Sequence, residues 1–176
     1  MLSYVSIGIN LLLILATLFV IFVLLLPVTL GAPYLPIDKD KLLIMIKLAN
    51  IRPGERAVDL GSGDGRVVIA LAQAGAEAHG YEINPLLVWL SRRKIRRAGL
   101  KNRAFIHCQS FRRLDFSAFQ IVTIYGLKSI MRELEGKLQR DLPRNGRVIS
   151  CLFQFPHWRP DISEKGIRRY HPSALL

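Results

Sequence analysis

The chain has 176 residues and carries 25 Lys plus Arg against 13 Asp plus Glu, a formal net charge of +12. Half of it is hydrophobic and it holds only two cysteines, which excludes a disordered polar chain and a disulfide-stapled scaffold. Charge and hydrophobicity are segregated: residues 1–37 hold no charged side chain and 27 hydrophobic ones, so an apolar segment precedes one basic domain large enough to bury a core.

Ile7 to Leu26 is a 20-residue run broken only by Gly8, Asn10 and Thr17. As a helix it would be about 30 Å long, the thickness of bilayer hydrocarbon. A cleaved secretory signal would need a positive start and a small-residue cleavage site. The first six residues carry no Lys or Arg, and Ala32-Pro33 is a poor site. The expectation is a retained transmembrane anchor at 1–30, a stiff Pro-rich linker at 31–37 and a domain at 38–176. Lys39, Lys41 and Lys47 follow the apolar run. The positive-inside rule then sets the domain on the cytoplasmic side of a bacterial inner membrane, or the matrix side of a mitochondrial one.

Asp40 to Asn50 has the apolar spacing of a short amphipathic helix, with Asp38 or Asp40 as cap. Arg56 to Leu60 reads as a buried strand and residues 65–74 as a helix. Glu77 to Tyr81 is a second strand, and Pro85 to Ala98 a helix with proline in its first turn. Arg103 to Cys108 and Gln120 to Tyr125 are further strands. Ile130 to Arg140 is a helix stopped at Leu142-Pro143, and Arg147 to Phe153 a fifth strand. Alternating strands and helices predict an α/β fold, a doubly wound parallel sheet with helices on both faces. Cys108 and Cys151 form no CxxC pair and read as reduced, buried thiols.

The sharpest signal is Asp59-Leu-Gly61-Ser62-Gly63-Asp-Gly65-Arg66, which follows a strand and opens a helix. Glycines there let the backbone turn tightly and approach a ligand closely. The third glycine comes one residue early for a dinucleotide fingerprint, and no Walker lysine follows. Asp59 would repel a pyrophosphate and suits a cationic ligand, such as the amino group and sulfonium of S-adenosylmethionine. Glu82 closes the second strand, where a doubly wound sheet places the carboxylate for a ribose diol. Ile83 beside it can cover one face of an adenine.

These residues, with Gly80-Tyr-Glu-Ile-Asn-Pro85, resemble the class I S-adenosylmethionine-dependent methyltransferases. Gly31-Ala-Pro-Tyr34-Leu-Pro36, Leu87-Val-Trp-Leu-Ser91, and Val148-Ile-Ser-Cys151 through Phe155-Pro-His-Trp158 narrow the likeness. They resemble the membrane-anchored protein-lysine methyltransferases that modify the ATP synthase c subunit and the adenine nucleotide translocase. The resemblance implies methyl transfer from S-adenosyl-L-methionine to a lysine amine of a membrane protein. It implies that Asp59, Gly61 and Gly63, with Ser62 and Gly65 in the same loop, hold the methionine end, and Glu82 the ribose. It also implies that the Tyr34 segment shapes the substrate side. Two departures stand out. Ser110, with Phe111 beside it, occupies the end of the third strand, where the family has an acid or Asn for the adenine amine. The C-terminal strands look abbreviated, with Ile167 to Tyr170 as the remnant.

Methyl transfer to lysine needs alignment and a neutral amine, and no residue is an obvious general base. Tyr34 and Tyr125 are the aromatic catalytic candidates. Tyr125-Gly-Leu-Lys128 is not the signature of nucleic-acid amino methylation. The four histidines lack metal-ligand spacing, so no metal is expected. His79 and His107 read as satisfied strand residues, and His157-Trp158 as packing. Residues 83–114 hold nine basic side chains and no acid. An anionic lipid surface is the expected partner there, ahead of nucleic acid. Two alternatives stay open: a methyltransferase for RNA or a lipid-soluble small molecule, and a non-catalytic S-adenosylmethionine-binding module.

Overall fold

A computed structural model describes residues 2–30, 36–125 and 130–172, with side chains of the first stretch described for 6–22. The chain divides into two compact units, Met1–Tyr34 and Leu35–Leu176. The first holds helix α1, Leu2–Leu30. Its described side chains are exposed, Ile7 to Phe22 among them. Thr17 Oγ1 donates to the Leu13 carbonyl at 2.8 Å, so this polar group is satisfied inside the helix. Among the described residues no helix is long and apolar enough to cross a membrane. Tyr34 and most of the expected linker lie outside the described residues.

The second unit begins with helix α2, Lys39–Ala49. Asp38 caps it, accepting from the Lys41 N–H at 2.8 Å. Strand β1 (Arg56–Leu60), helix α3 (Arg66–Gln73), strand β2 (Glu77–Glu82), helix α4 (Pro85–Arg97) and strand β3 (Ala104–Cys108) follow. Then come β4 (Ile121–Tyr125), α5 (Met131–Asp141), β5 (Arg147–Cys151), β6 (Ile162–Glu164) and β7 (Ile167–Tyr170). Asn84 caps α4 with Pro85 in its first turn, where a missing N–H loses no hydrogen bond.

The sheet order is β3-β2-β1-β4-β5-β7-β6. Its first five strands are parallel, and β7 runs antiparallel to both β5 and β6. This is the expected doubly wound Rossmann-like sheet with abbreviated C-terminal strands, and β7 is the expected Ile167 to Tyr170 remnant. The strand β6 beside it is an addition to that expectation. Lys165 and Gly166, both at positive φ, turn the chain between β6 and β7, and a three-residue β6 pairs in full with its neighbour. A strand of that length leaves too little alternation to be read from sequence.

Alternate residues of each strand feed two cores. Ala57, Ala78, Ile121 and Ile149 pack with Met45, Val68, Leu71 and Ile95 of α2, α3 and α4. Val58, Leu60, Val122, Ile124 and Val148 pack on the opposite face with Met131, Leu134 and Leu138 of α5. Phe155, Trp158 and Tyr170 close that second core as an aromatic cluster, and Trp158 Nε1 donates to the His171 carbonyl at 2.9 Å. Phe155 and Trp158 of the Phe-Pro-His-Trp run are therefore packing, as expected of Trp158, whereas the His157 side chain is exposed and only its backbone N–H is held, by Glu135.

On the α5 side of β2 and β3, His79 Nδ1 lies 3.1 Å from His107 Nε2, and His79 Nε2 lies 3.0 Å from Glu77. Both histidines are thus satisfied, the expected role. Burial, then the neighbouring His79 and Arg92, push the His107 pKa down. The thiols differ from expectation: Cys151 is buried but Cys108 is exposed, because β3 is an edge strand and its last residue meets solvent.

Candidate active site

The sheet order reverses between β1 and β4, and such a reversal opens a crevice beyond the carboxyl ends of the strands. Register places Leu60 opposite Ile124, so the glycine loop leaving β1 and Tyr125 ending β4 stand at the same mouth.

Asp59 is 4% exposed, and Thr123 Oγ1 of β4 donates to its Oδ1 at 2.7 Å. Burial pushes its carboxyl up to about 7, partly opposed by Thr123 and reinforced by Glu82 and Asp64. A carboxylate held so uncomfortably is a receptor for a cation. Glu82 is also buried. Its Oε2 accepts from the Gly63 N–H at 2.9 Å and its Oε1 from the Asn84 N–H at 2.8 Å. One backbone donor on each oxygen fixes the carboxylate and leaves lone pairs for a diol.

The loop is held from outside the crevice. Gly61 and Ser62 both donate backbone N–H groups to the Tyr81 carbonyl, at 2.9 and 3.0 Å. Gly65, at φ 79, lets the chain turn into α3 in a left-handed conformation that disfavours a side chain. Ser91 Oγ of α4 reaches the Gly63 carbonyl at 2.8 Å. A Cβ at Gly61 would meet nothing within 4 Å. The loop therefore presents bare backbone to open space there. Ser62 Oγ is buried without a hydrogen-bond partner among the described residues. A fixed diol acceptor, a receptive buried carboxylate and a bare glycine cradle fit a nucleoside with a cationic tail.

Gly80 of β2 is a different kind of requirement. A Cβ there would lie 2.6 Å from Ser62 Oγ and 2.7 Å from Ile106 Cδ1. Gly80→Ala is expected to destabilise the domain by about 1–3 kcal/mol through this overpacking. Cofactor affinity should weaken with it, because Ser62 must move. Urea unfolding and calorimetry measure the two effects; an unchanged midpoint would show that the loop yields freely.

Sequence reasoning missed several supports. Asp64 is 3% exposed, and Arg66 grips it from Nε at 3.0 Å and Nη2 at 2.9 Å, while Lys94 reaches it from α4. Burial raises the Asp64 carboxyl, but the two cations outweigh it and hold it well below the usual range. Arg66 Nη1 donates to the Ile37 carbonyl at 2.8 Å, tying the segment before α2 to the glycine loop. Thr123 carries no signal of its own, and Ser91 stands only as the last residue of the Leu87–Ser91 motif, with no partner to be read from it; both roles come from register and helix packing. Asp64 and Arg66 flank Gly65 in the motif, so their charge pair was legible there.

Tyr125 is half-buried, and β4–β5 register sets it against Cys151. Burial, then Cys151, push its phenol pKa up, so the hydroxyl stays neutral. Gln109 N–H donates to the Glu82 carbonyl at 3.0 Å, which brings the end of β3 beside Glu82. Ser110 there is exposed, and its Oγ accepts from the Arg112 N–H, capping a 3-10 helix at Phe111–Arg113. Phe111 packs against the α5-side core and lines a shallow depression with Ile130 and Leu134. Ile83 is half-buried directly after Glu82. Tyr34 lies outside the described residues.

A family model described as the ANTKMT methyltransferase domain matches residues 59–162, from Asp59 into β6. The chain belongs to this family. Among its relatives, the human lysine N-methyltransferase of the ATP synthase c subunit is 42% identical over 136 residues, covering 77% of this chain and 58% of that protein. The chain thus spans little more than half of that relative's length. A protein-lysine N-methyltransferase of Saccharolobus islandicus is 31% identical over 130 residues, covering 73% of this chain and 81% of the relative. Among solved structures, an RNA methyltransferase from Salinibacter ruber bound to S-adenosyl-L-homocysteine aligns with TM-score 0.75 at 30% identity, covering 81% of this chain and 96% of that one. The matched region contains β1 from Asp59 onward, the glycine loop, Glu82 and all of β4.

Proposed function

We propose that this protein is an S-adenosylmethionine-dependent protein-lysine N-methyltransferase, held at a membrane by residues 1–30 through the linker 31–37, and acting on a membrane protein. The observation that carries the chemistry is the pair of buried carboxylates, Asp59 and Glu82, converging on a bare glycine cradle at the sheet reversal. Lysine as the acceptor is supported by the named activities of the human and archaeal relatives. Membrane attachment is supported by the uncharged first 37 residues, 27 of them hydrophobic, and by the exposed apolar side chains from Ile7 to Phe22. Lys39, Lys41 and Lys47 favour a catalytic domain on the cytoplasmic or matrix side.

S-adenosylmethionine supplies a methyl group already activated on a sulfonium. In this reading the protein orients and neutralises. Asp59 gives the cationic end its counter-charge, Glu82 accepts from the ribose, and Ile83 covers the adenine. The incoming lysine must give its proton to bulk water before attack, so that it enters as the neutral amine. Tyr125, neutral at the mouth between β4 and β5, offers a hydroxyl that accepts from the amine and aligns its lone pair. Tyr34, with its segment, shapes the entrance.

Methylation of RNA is the second reading, favoured by the Salinibacter ruber structure and the basic residues 83–114. The full chain is incubated with methyl-labelled S-adenosylmethionine and membranes from cells lacking it. Label is expected in one membrane-protein band and, after hydrolysis, in methyl-lysine. Label in RNA would replace the first reading with the second, and no label despite cofactor binding would leave a binding module.

A further inference from the structure

Helix α4 has two sharply different faces. Val88, Ser91 and Ile95 are buried on the side toward the sheet. At about 100° per residue, Leu86, Trp89, Arg93 and Arg97 share an arc on the order of 80° diametrically opposite. Leu86 is 58% exposed and Trp89 56%, two large apolar side chains one turn apart in a basic surface. The Arg93 guanidinium sits 5.4 Å from the centroid of the Trp89 ring, covering one side of the indole.

The charge around this face is one-sided. No acidic residue occurs between Ile83 and Leu114. Three of the nine cations there have internal work. Lys94 pairs with Asp64, Arg92 donates to the Ile106 carbonyl at 2.8 Å, and Arg112 lies 3.7 Å from Glu133. Among the described residues Arg93, Arg96, Arg97, Lys101, Arg103 and Arg113 make no ion pair. Complementing the helix dipole at the end of α4 needs one or two of these, not six. The face is also graded along its axis: apolar at Leu86 and Trp89, cationic from Arg93 to Arg97. That gradient matches the depth profile of a bilayer interface, with acyl boundary first and phosphates above it. A nucleic-acid backbone offers nothing for an exposed leucine at the start of the helix.

We propose that the outer face of α4 docks the catalytic domain onto an anionic phospholipid surface, with Leu86 and Trp89 entering the interface and Arg93 and Arg97 on the phosphates. The inference deepens the membrane-held reading given above and rests on it only in requiring a bilayer within reach. Docking would fix the azimuth of the domain, which a single anchoring helix leaves free, and so hold the crevice in one orientation to the membrane plane.

The test uses tryptophan emission from the full chain in lipid nanodiscs of phosphatidylcholine, with or without phosphatidylglycerol, doped with lipid brominated in its acyl chains. The chain has two tryptophans, and Trp158 is buried at 5% exposure, so Trp89 is the reporter. Trp89→Phe confirms that assignment. Trp89 is expected to be quenched and blue-shifted in anionic discs alone, with the effect reversed by salt. The paired change Arg93→Glu with Arg97→Glu should return it to its level in neutral discs. Equal emission in both kinds of disc overturns the proposal. So does a response to single-stranded RNA without a response to lipid, which would give this face to a nucleic acid. S-adenosylmethionine binding by the Arg93→Glu, Arg97→Glu protein, read by calorimetry, should match the unaltered chain. A failure of docking is thereby kept separate from a failure of the methyltransferase reading.

Discussion

Asp59→Asn is expected to weaken S-adenosylmethionine binding by about 2–5 kcal/mol, some thirtyfold to several thousandfold, because it removes the buried counter-charge of a cationic ligand. The fold should survive. An asparagine carbonyl can still accept from Thr123 Oγ1, and the neutral amide avoids the burial penalty that raises the Asp59 carboxyl. The same carboxyl predicts a pH dependence. With its folded pKa near 7, above the unfolded value near 4, Asp59 lowers the stability of the free protein as pH rises from about 4 to 7. Its effect on binding has the opposite sign, since the cation requires the ionised form. Affinity should therefore fall about tenfold per pH unit below 7 and level off above it. Calorimetry across pH 5.5 to 8.5 checks this, and proton release on binding at low pH should accompany it. The Asp59→Asn protein should show no such slope. A flat profile in the unaltered protein would remove Asp59 from the cation's contacts.

Arg147→Ala is expected to destabilise the domain by about 3–5 kcal/mol, because it strands the Glu55 carboxylate in a largely buried pair. Arg147, on β5, is 6% exposed. Its guanidinium donates to the Ala49 carbonyl, to the Asn50 carbonyl at 2.8 Å, and to both oxygens of Glu55. It thus supplies donors to the C-terminal carbonyls of α2, which would otherwise be orphaned. For a domain of this size the loss should lower Tm by about 10 °C or more. Burial works against the Glu55 carboxylate, but Arg147 and the Arg52 N–H outweigh it and hold its pKa below the ordinary value. That contribution is present above the ordinary glutamate range and lost as pH falls through the lowered pKa, so the gap between the two proteins should narrow in acid. Adding Glu55→Gln to Arg147→Ala should restore part of the stability. Urea unfolding of the three proteins reads all of this, and a gap under ~1 kcal/mol would show that α2 is held by its apolar face instead.

Much of the candidate site could be read in advance. Asp59, Gly61, Gly63, Gly65 and Glu82 are spaced by the strand–turn–helix–strand unit itself, so linear distance reports spatial distance. The elements from α2 to β5 carry strong periodicity or glycine and proline punctuation, and their bounds differ from expectation by at most two residues. What linear distance does not report is pairing across many residues. Thr123 reaches Asp59 over 64 positions, Ser91 reaches Gly63 over 28, and Arg147 reaches Ala49 over 98. A threonine, a serine and an arginine at those positions are ordinary until the register of β1 with β4 and the docking of α2 and α4 are known. The three-residue β6 was unreadable for another reason. Its pairing is set by the turn at Lys165 and Gly166 and by a neighbour already held against β5.

The basic composition shows the same division. By itself the sequence determined that all the charge lies after residue 37, that residues 83–114 carry cations without acids, and that an acid–glycine loop opens the first βα unit. These are local properties, fixed by composition and by the short-range geometry of strand, turn and helix. Only the tertiary structure decided which cations are engaged in the fold and which face outward. Lys94 and Arg92 turn inward to Asp64 and β3, while Arg93 and Arg97 join Trp89 on the outer face of α4. It also decided that Asp59 is buried enough to make its charge matter. Burial and partner choice are properties of packing between elements, and no count along the chain contains them.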